Sequence, residues 1–155
     1  NAAHAFYASM APDGKVVPDL TQPIRKYTKA TRAPDDPSET RIQSRVIRWW
    51  AEAHRVYKLP EFCLFHIPNG GSRHMIEAAH LKQAGVRKGI PDLFLAVPMG
   101  SYHGLWLEMK SRDGRTSAEQ DEVLAWLLEM GYAAGVFHDA QDAILRIQNY
   151  LGRVL

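Results

Sequence analysis

The chain has 155 residues, of which 46% are hydrophobic and 23% charged, and a formal net charge of +2. This length suits a single domain with its own core, and no apolar run approaches the ~20 residues of a membrane span. The single cysteine, Cys63, excludes an internal disulfide and a cysteine-based zinc site, and we expect a reducing, cytoplasmic setting.

The first 35 residues carry scattered proline and glycine with no sustained period. We interpret residues 1–35 as an N-terminal extension or arm and residues 36–155 as the folded domain. The first helix is predicted where Asp36 or Ser38 can act as a cap and Pro37 suits the first turn. Its apolar positions recur at helical spacing: Ile42, Val46, Trp49, Trp50, Ala53 and Tyr57.

The rest of the domain alternates between strand-like and helix-like stretches. "FCLFHI" (62–67) predicts a buried strand, "PNGGSR" a loop, and "HMIEAAHLKQAG" (74–85) a short helix that Gly85 ends. "DLFLAV" (92–97) and "GLWLEMK" (104–110) predict two strands joined through "PMGSYH". A helix, a strand and a closing helix follow at 117–131, 132–138 and 139–151. This order predicts an α/β fold with a mixed sheet flanked by helices.

Two carboxylates interrupt the two middle strands. A hairpin centred on Gly100 places Asp92 directly opposite Glu108, where side chains lie ~4.5–5.5 Å apart and like charges are destabilising. Because side chains alternate along a strand, Lys110 shares the face of Glu108, and Met109 turns to the other face. The pattern therefore predicts two carboxylates and one ammonium group on one face.

Two interpretations of this arrangement stay open. Lys110 can simply neutralise an acid at a salt-bridged sheet edge. Alternatively, the carboxylates bind Mg²⁺ or Mn²⁺, which prefer oxygen ligands completed by water and substrate phosphate. A metal lowers the pKa of water, and a nearby lysine can orient that water or stabilise anionic oxygens. The second interpretation predicts a phosphodiesterase.

Five short motifs in order support the second interpretation. "HIPNGG", "LKQAGVRKGIPD", "GIPDLFL", "LWLEMK" and "TSAEQ" resemble the virus-type replication-repair nuclease (VRR-NUC) family of the PD-(D/E)xK nuclease superfamily. The resemblance covers roughly residues 38–150. It implies a restriction-endonuclease-like αβββαβ core and a metal-dependent DNA endonuclease that uses Mg²⁺ or Mn²⁺.

The stand-alone phage and prophage members of this family resemble Holliday-junction resolvases that act as homodimers. The resemblance therefore implies branched DNA as the substrate and a homodimer as the active form. The alternatives are a flap-type or restriction-like nuclease on the same fold, and a non-catalytic DNA-binding or assembly module.

The resemblance also implies roles for individual residues. Asp92 and Glu108 match metal ligands, with the Met109 carbonyl as a third, and Lys110 matches the catalytic lysine. Glu39 matches the family's early acid, which would reach the metal directly or through water. Gln120 matches a glutamine that steadies the site or touches nucleic acid. For Glu39 and Gln120 a capping box is the competing interpretation, because Ser or Asp precedes each at capping distance.

The glycine-rich and basic loops complete the set of predicted site residues. The resemblance places them beside the active site, with phosphate contacts from Asn69, Gly70, Arg73, Arg87 and Lys88. A basic stripe on the first helix also suits a phosphate backbone, although such a stripe is more often a solvated face. His66, alone after an apolar strand, is interpreted as structural.

Overall fold

The computed structural model describes residues 38–68 and 80–152. The predicted arm (1–35), the cap residue Asp36 and the loop residues Asn69, Gly70 and Arg73 lie outside this range. The helices are α1 (Glu39–Ala53), α2 (Ala118–Glu129) and α3 (Ala140–Tyr150). The strands are β1 (Leu64–His66), β2 (Leu93–Leu95), β3 (Leu105–Met109) and β4 (Ala133–Phe137). No helix in the described part is long and apolar enough to cross a membrane.

The four strands form one mixed sheet in the order β1-β2-β3-β4. β1 and β2 pair antiparallel, as do β2 and β3, whereas β3 and β4 pair parallel. A parallel pair needs a crossover connection, and α2 supplies it between β3 and β4. This architecture confirms the predicted α/β fold and its αβββαβ core.

One face of the sheet builds the core. Leu93, Leu95, Leu105, Leu107 and Met109 alternate along β2 and β3 and are fully buried. α1 and α3 pack against each other and against β3. Burial of each such side chain contributes roughly 1.5–3 kcal/mol, and this apolar layer therefore fixes which face of β2 and β3 points inward.

The intervening residues point to the opposite face. Phe94 of β2 and Trp106 of β3 are register partners, and their rings stack with centroids 4.2 Å apart. Because the side-chain period of a strand is 2, Asp92 and Glu108 share this face. α2 contacts β4 and brings its N-terminus to the same side. Because the odd-numbered residues of β2 and β3 pack inward, both carboxylates lie on the side of the sheet that faces α2.

Two predicted elements are shorter than the sequence pattern suggested. α1 ends at Ala53 because a turn follows, in which the Leu59 amide donates to the His54 carbonyl at 3.1 Å and Lys58 takes a positive φ of 55°. The prediction of a buried strand at 62–67 is also wrong. Glu61–Cys63 form a 3-10 turn, and the strand that follows is an exposed edge strand with the burial pattern of one buried and two exposed residues.

The indole of Trp50 explains the position of that turn. Its Nε1 donates to the Glu61 carbonyl at 2.8 Å. A buried indole N–H needs an acceptor, and the chain provides one by coiling over the ring before β1 begins. Of the short helix predicted at 74–85, residues 74–79 lie outside the described range, residues 80–83 are helical, and Gly85 takes a φ of 97°.

Candidate active site

A cavity of about 410 Å³ opens where the N-terminal end of β2, the C-terminal end of β3 and the N-termini of α1 and α2 meet. Five residues predicted from the sequence to form the site line it together: Glu39, Asp92, Glu108, Lys110 and Gln120. Lys88 lines it as well. The fold therefore gathers residues from four separate elements into one concave site.

The hairpin has the register that the sequence predicted. Leu93 pairs with Leu107, Phe94 with Trp106 and Leu95 with Leu105, so one further step along the strands places Asp92 opposite Glu108. The Met109 amide donates to Asp92 Oδ2 at 2.7 Å. Burial raises the pKa of Asp92, although the Met109 N–H and the charge of Lys110 oppose this rise.

Glu108 is 1% exposed and its two oxygens differ. Oε1 accepts from Lys110 Nζ at 2.7 Å and also from Gln120 Nε2. Oε2 is buried and has no hydrogen-bond partner. Burial raises the pKa of Glu108 to about 7, against the lowering effect of the Lys110 hydrogen bond. Ionisation of Glu108 at neutral pH is therefore costly even with Lys110 beside it, and added positive charge near the carboxylate would favour it.

Lys110 stays charged despite being 7% exposed. Burial lowers its pKa, but the hydrogen bond to Glu108 and the charges of Glu108, Glu39 and Asp92 outweigh burial, and the net effect is a raised pKa. Its Nζ lies 3.9 Å from Glu39 Oε1. At neutral pH the side chain is thus an ammonium group that donates hydrogen bonds and not a free base.

Glu39 joins the site from the first turn of α1. Its Oε1 accepts from the Ser111 amide at 3.4 Å, next to the contact with Lys110. Ser38 occupies the N-cap position without a side-chain capping bond, and Asp36, with which the capping interpretation pairs Glu39, lies outside the described residues. The Glu39 side chain is 50% exposed and so lies at the open side of the cavity.

Gln120 satisfies both interpretations at once. Its Oε1 accepts from the Ser117 amide at 2.9 Å, and its own amide donates to Ser117 Oγ at 3.3 Å, which completes a capping box. Because the amide oxygen faces Ser117, the NH₂ group points at Glu108 Oε1. The start of α2 thereby fixes the orientation of the Glu108 carboxylate.

The predicted phosphate-contacting residues separate into two places. Lys88 lines the carboxylate cavity, whereas Arg87 lines a neighbouring cavity of about 630 Å³. Gly89, which the sequence reasoning did not single out, takes a φ of 84°, and an added Cβ would lie 2.6 Å from the Glu119 carbonyl oxygen. Only glycine lets this loop pack so closely on α2.

His66 contacts the main chain of the site at Asp92. Its Nδ1 donates to the main-chain carbonyl of Asp92 at 2.9 Å, and the Ile67 amide donates to the same oxygen at 2.8 Å. These bonds hold the main chain from which the Asp92 side chain projects. The structural interpretation of this histidine agrees with its contacts.

The family model of the VRR-NUC domain matches residues 37–141. The chain belongs to the VRR-NUC domain family. It is also similar to a solved structure of a VRR_NUC domain protein, with 29% sequence identity and a TM-score of 0.64 over 77% of this chain and 93% of that chain. No curated protein matches the chain.

Membership in the VRR-NUC family confirms the resemblance drawn from the five motifs. The VRR-NUC domain is a nuclease-type domain, which implies a DNA substrate. The match begins directly before α1 and extends into α3, so it contains each of the five residues brought together at the cavity.

Proposed function

We propose that this VRR-NUC domain protein is a metal-dependent endonuclease that hydrolyses phosphodiester bonds in DNA. The observation that carries the proposal is the state of Glu108. A carboxylate with one oxygen doubly engaged and the other buried without a partner stands opposite a second carboxylate. Leaving such an atom unsatisfied is costly, and a cation would remove the cost.

The donor atoms suit a hard divalent ion. Asp92, Glu108 and the Met109 carbonyl would hold Mg²⁺ or Mn²⁺, with Glu39 acting through water, because these ions take oxygen ligands and keep several waters. Within residues 38–68 and 80–152, no three His, Cys, Asp or Glu side chains are arranged to enclose a metal by themselves. Waters and substrate phosphate would therefore complete the shell.

When bound, the ion supplies positive charge that polarises the scissile phosphate and makes water a stronger nucleophile. The protein groups contribute the rest. Lys110 donates hydrogen bonds toward anionic phosphate oxygens and orients the attacking water. Gln120 keeps Glu108 Oε1 occupied, which would leave Oε2 as the oxygen that holds a cation. Glu39 restrains Lys110 and the Ser111 main chain.

For the substrate we infer branched DNA such as a Holliday junction, cut by a homodimer. The support is the resemblance to stand-alone phage and prophage members. A two-fold dimer would also present two cavities to two strands of a four-way junction. Light scattering at micromolar concentration tests the dimer, and a monomer there would contradict it.

Cleavage of labelled junction, flap and single-stranded DNA in Mg²⁺, Mn²⁺ or EDTA tests the proposal. We expect junction cleavage by the wild type with either metal and none in EDTA. Lys110→Ala should lose about 10²–10⁴-fold in rate, and Asp92→Ala should abolish cleavage while retaining DNA binding, which rests mainly on phosphate contacts. Equal cleavage by wild type and Lys110→Ala would overturn the assignment, and binding without any cleavage would indicate a non-catalytic module.

A further inference from the structure

The second cavity, next to the candidate active site, is lined in its described part by hydrogen-bond donors and cations. The described residues that line it are His80, Lys82, Gln83 and Arg87, all exposed. Every one of these side chains can donate a hydrogen bond. Among the described residues that line this cavity there is no acidic side chain. A concave surface that offers donors and cations without acids is complementary to a phosphate group.

The chain connects this cavity directly to the candidate active site. Arg87 lines the second cavity and the next residue, Lys88, lines the carboxylate cavity. Consecutive Cα atoms are only ~3.8 Å apart, so one DNA strand can pass both cavities within a few nucleotides. The basic stripe on α1 differs in this respect. Its exposed arginines, including Arg45 and Arg48, do not line the carboxylate cavity.

The segment has internal hydrogen bonds and is packed against α2 at its C-terminal end. At its start the Ala84 amide donates to the His80 carbonyl and the Val86 amide to the Leu81 carbonyl, both at 2.9 Å. At its end Gly89 packs against the Glu119 carbonyl of α2. Side chains on a fixed segment lose less entropy on binding than those on a mobile loop.

We propose that His80, Lys82, Gln83 and Arg87 form a second phosphate site, which binds a DNA phosphodiester a few nucleotides from the one that is cut. The proposal rests on the proposed nuclease function, because that function defines which phosphodiester is cut. The second site itself only binds DNA. It also sets the direction in which the DNA strand leaves the active site, along residues 80–88 rather than along α1.

The test compares two double variants that remove the same charge from different faces. Lys82→Gln/Arg87→Gln alters the second cavity, and Arg45→Gln/Arg48→Gln alters α1. Affinity for a fluorescent four-way junction is measured by anisotropy in Ca²⁺ over a range of salt concentrations. We expect the first variant to bind roughly 30-fold more weakly near 0.15 M salt, from two lost phosphate contacts. Its log–log salt slope should fall by about 2, while the α1 variant stays near wild type.

A methylphosphonate scan locates the contact. Neutralising one phosphate at a time should weaken wild-type binding most at a position near the cut. At that position Lys82→Gln/Arg87→Gln should lose no more, because the partner charges are already gone. Wild-type affinity in this variant, an equal loss in the α1 variant, or full sensitivity at every neutralised phosphate would overturn the second site.

A structural role for these cations predicts a different result. Lys and Arg near the end of a helix can stabilise it through the helix dipole, and their loss would then lower stability in urea without changing the salt slope; that outcome also overturns the proposal. Failure of the proposed nuclease function looks different again. In that case the wild type would bind through residues 82 and 87 but cut no DNA with any metal.

Discussion

Replacing Glu108 by glutamine removes one charge from the site and changes little else in shape. In the metal-free protein the ionised carboxylate is 1% exposed and faces Asp92. Glutamine keeps an oxygen that can accept from Lys110 and Gln120, and its NH₂ group takes the place of an oxygen atom. The substitution therefore isolates the electrostatic cost of an ionised Glu108.

The size of that cost follows from the pKa of Glu108, which burial raises from 4.5 to about 7. At about 1.4 kcal/mol for each pKa unit, the rise corresponds to about 3 kcal/mol. The folded protein holds this proton more tightly than the unfolded chain does. The associated stability is therefore fully present below pH 4.5 and is lost as the pH rises through about 7. Asp92 acts in the same direction, because burial raises its pKa too.

Urea denaturation in EDTA at about pH 5 and about pH 8 measures this effect. We expect the free energy of unfolding of the wild type to fall by about 2–3 kcal/mol more between these pH values than that of Glu108→Gln. Glu122→Gln, an exposed acid on α2, should behave as the wild type. If wild type and Glu108→Gln lose the same stability, Glu108 does not carry the buried charge assigned to it.

Metal should offset most of the stability that the wild type loses at the higher pH. A ligand at 100 times its Kd stabilises the folded state by about 2.7 kcal/mol. We expect Mn²⁺ to stabilise the wild type by about this amount at a matching concentration and to leave Glu108→Gln nearly unchanged. Equal stabilisation of both proteins would place the ion elsewhere.

Three further changes test single contacts. Gln120→Leu should weaken Mn²⁺ binding in calorimetry by about 10-fold or more, as loss of a supporting hydrogen bond does at other metal sites. Asp139→Ala is the control, because it removes the α3 cap that accepts from the Gln141 amide at 2.6 Å. It should lower stability by about 1 kcal/mol and leave metal affinity unchanged. Equal metal affinities in the two variants would show that Gln120 acts only as a capping residue. Gly89→Ala should destabilise the protein by about 1–3 kcal/mol in urea, because its Cβ would lie 2.6 Å from the Glu119 carbonyl oxygen at a φ of 84°; unchanged stability would show that the loop moves freely. Tyr150→Phe should cost about 1–2 kcal/mol in thermal denaturation, because its hydroxyl donates to the Val97 carbonyl at 2.7 Å inside the core, and an unchanged Tm would show that another donor replaces it.

The sequence by itself determined the hairpin and its chemistry. Alternating apolar residues set which residues face inward, since a slip of one residue would expose the leucines of a strand, and the turn around Gly100 then selected one register among those that keep this facing. That register alone brought Asp92 opposite Glu108 with Lys110 on the same face. The family motifs then indicated nuclease chemistry, because their residue types occur in the same order in a family that shares one fold.

Only the tertiary structure decided how the distant residues act. The sequence does not show that the start of α2 reaches Glu108, so a capping box and a contact with the site were alternative interpretations of Gln120. The crossover from β3 to β4 places Gln120 where it makes both at once. The sequence also does not show that the Glu39 side chain contacts the Ser111 amide, or that Arg87 and Lys88, which are neighbours in sequence, line different cavities. Periodicity is a local property of the chain, whereas burial, charge and orientation depend on which elements pack together, and that packing is what leaves Glu108 Oε2 buried without a partner.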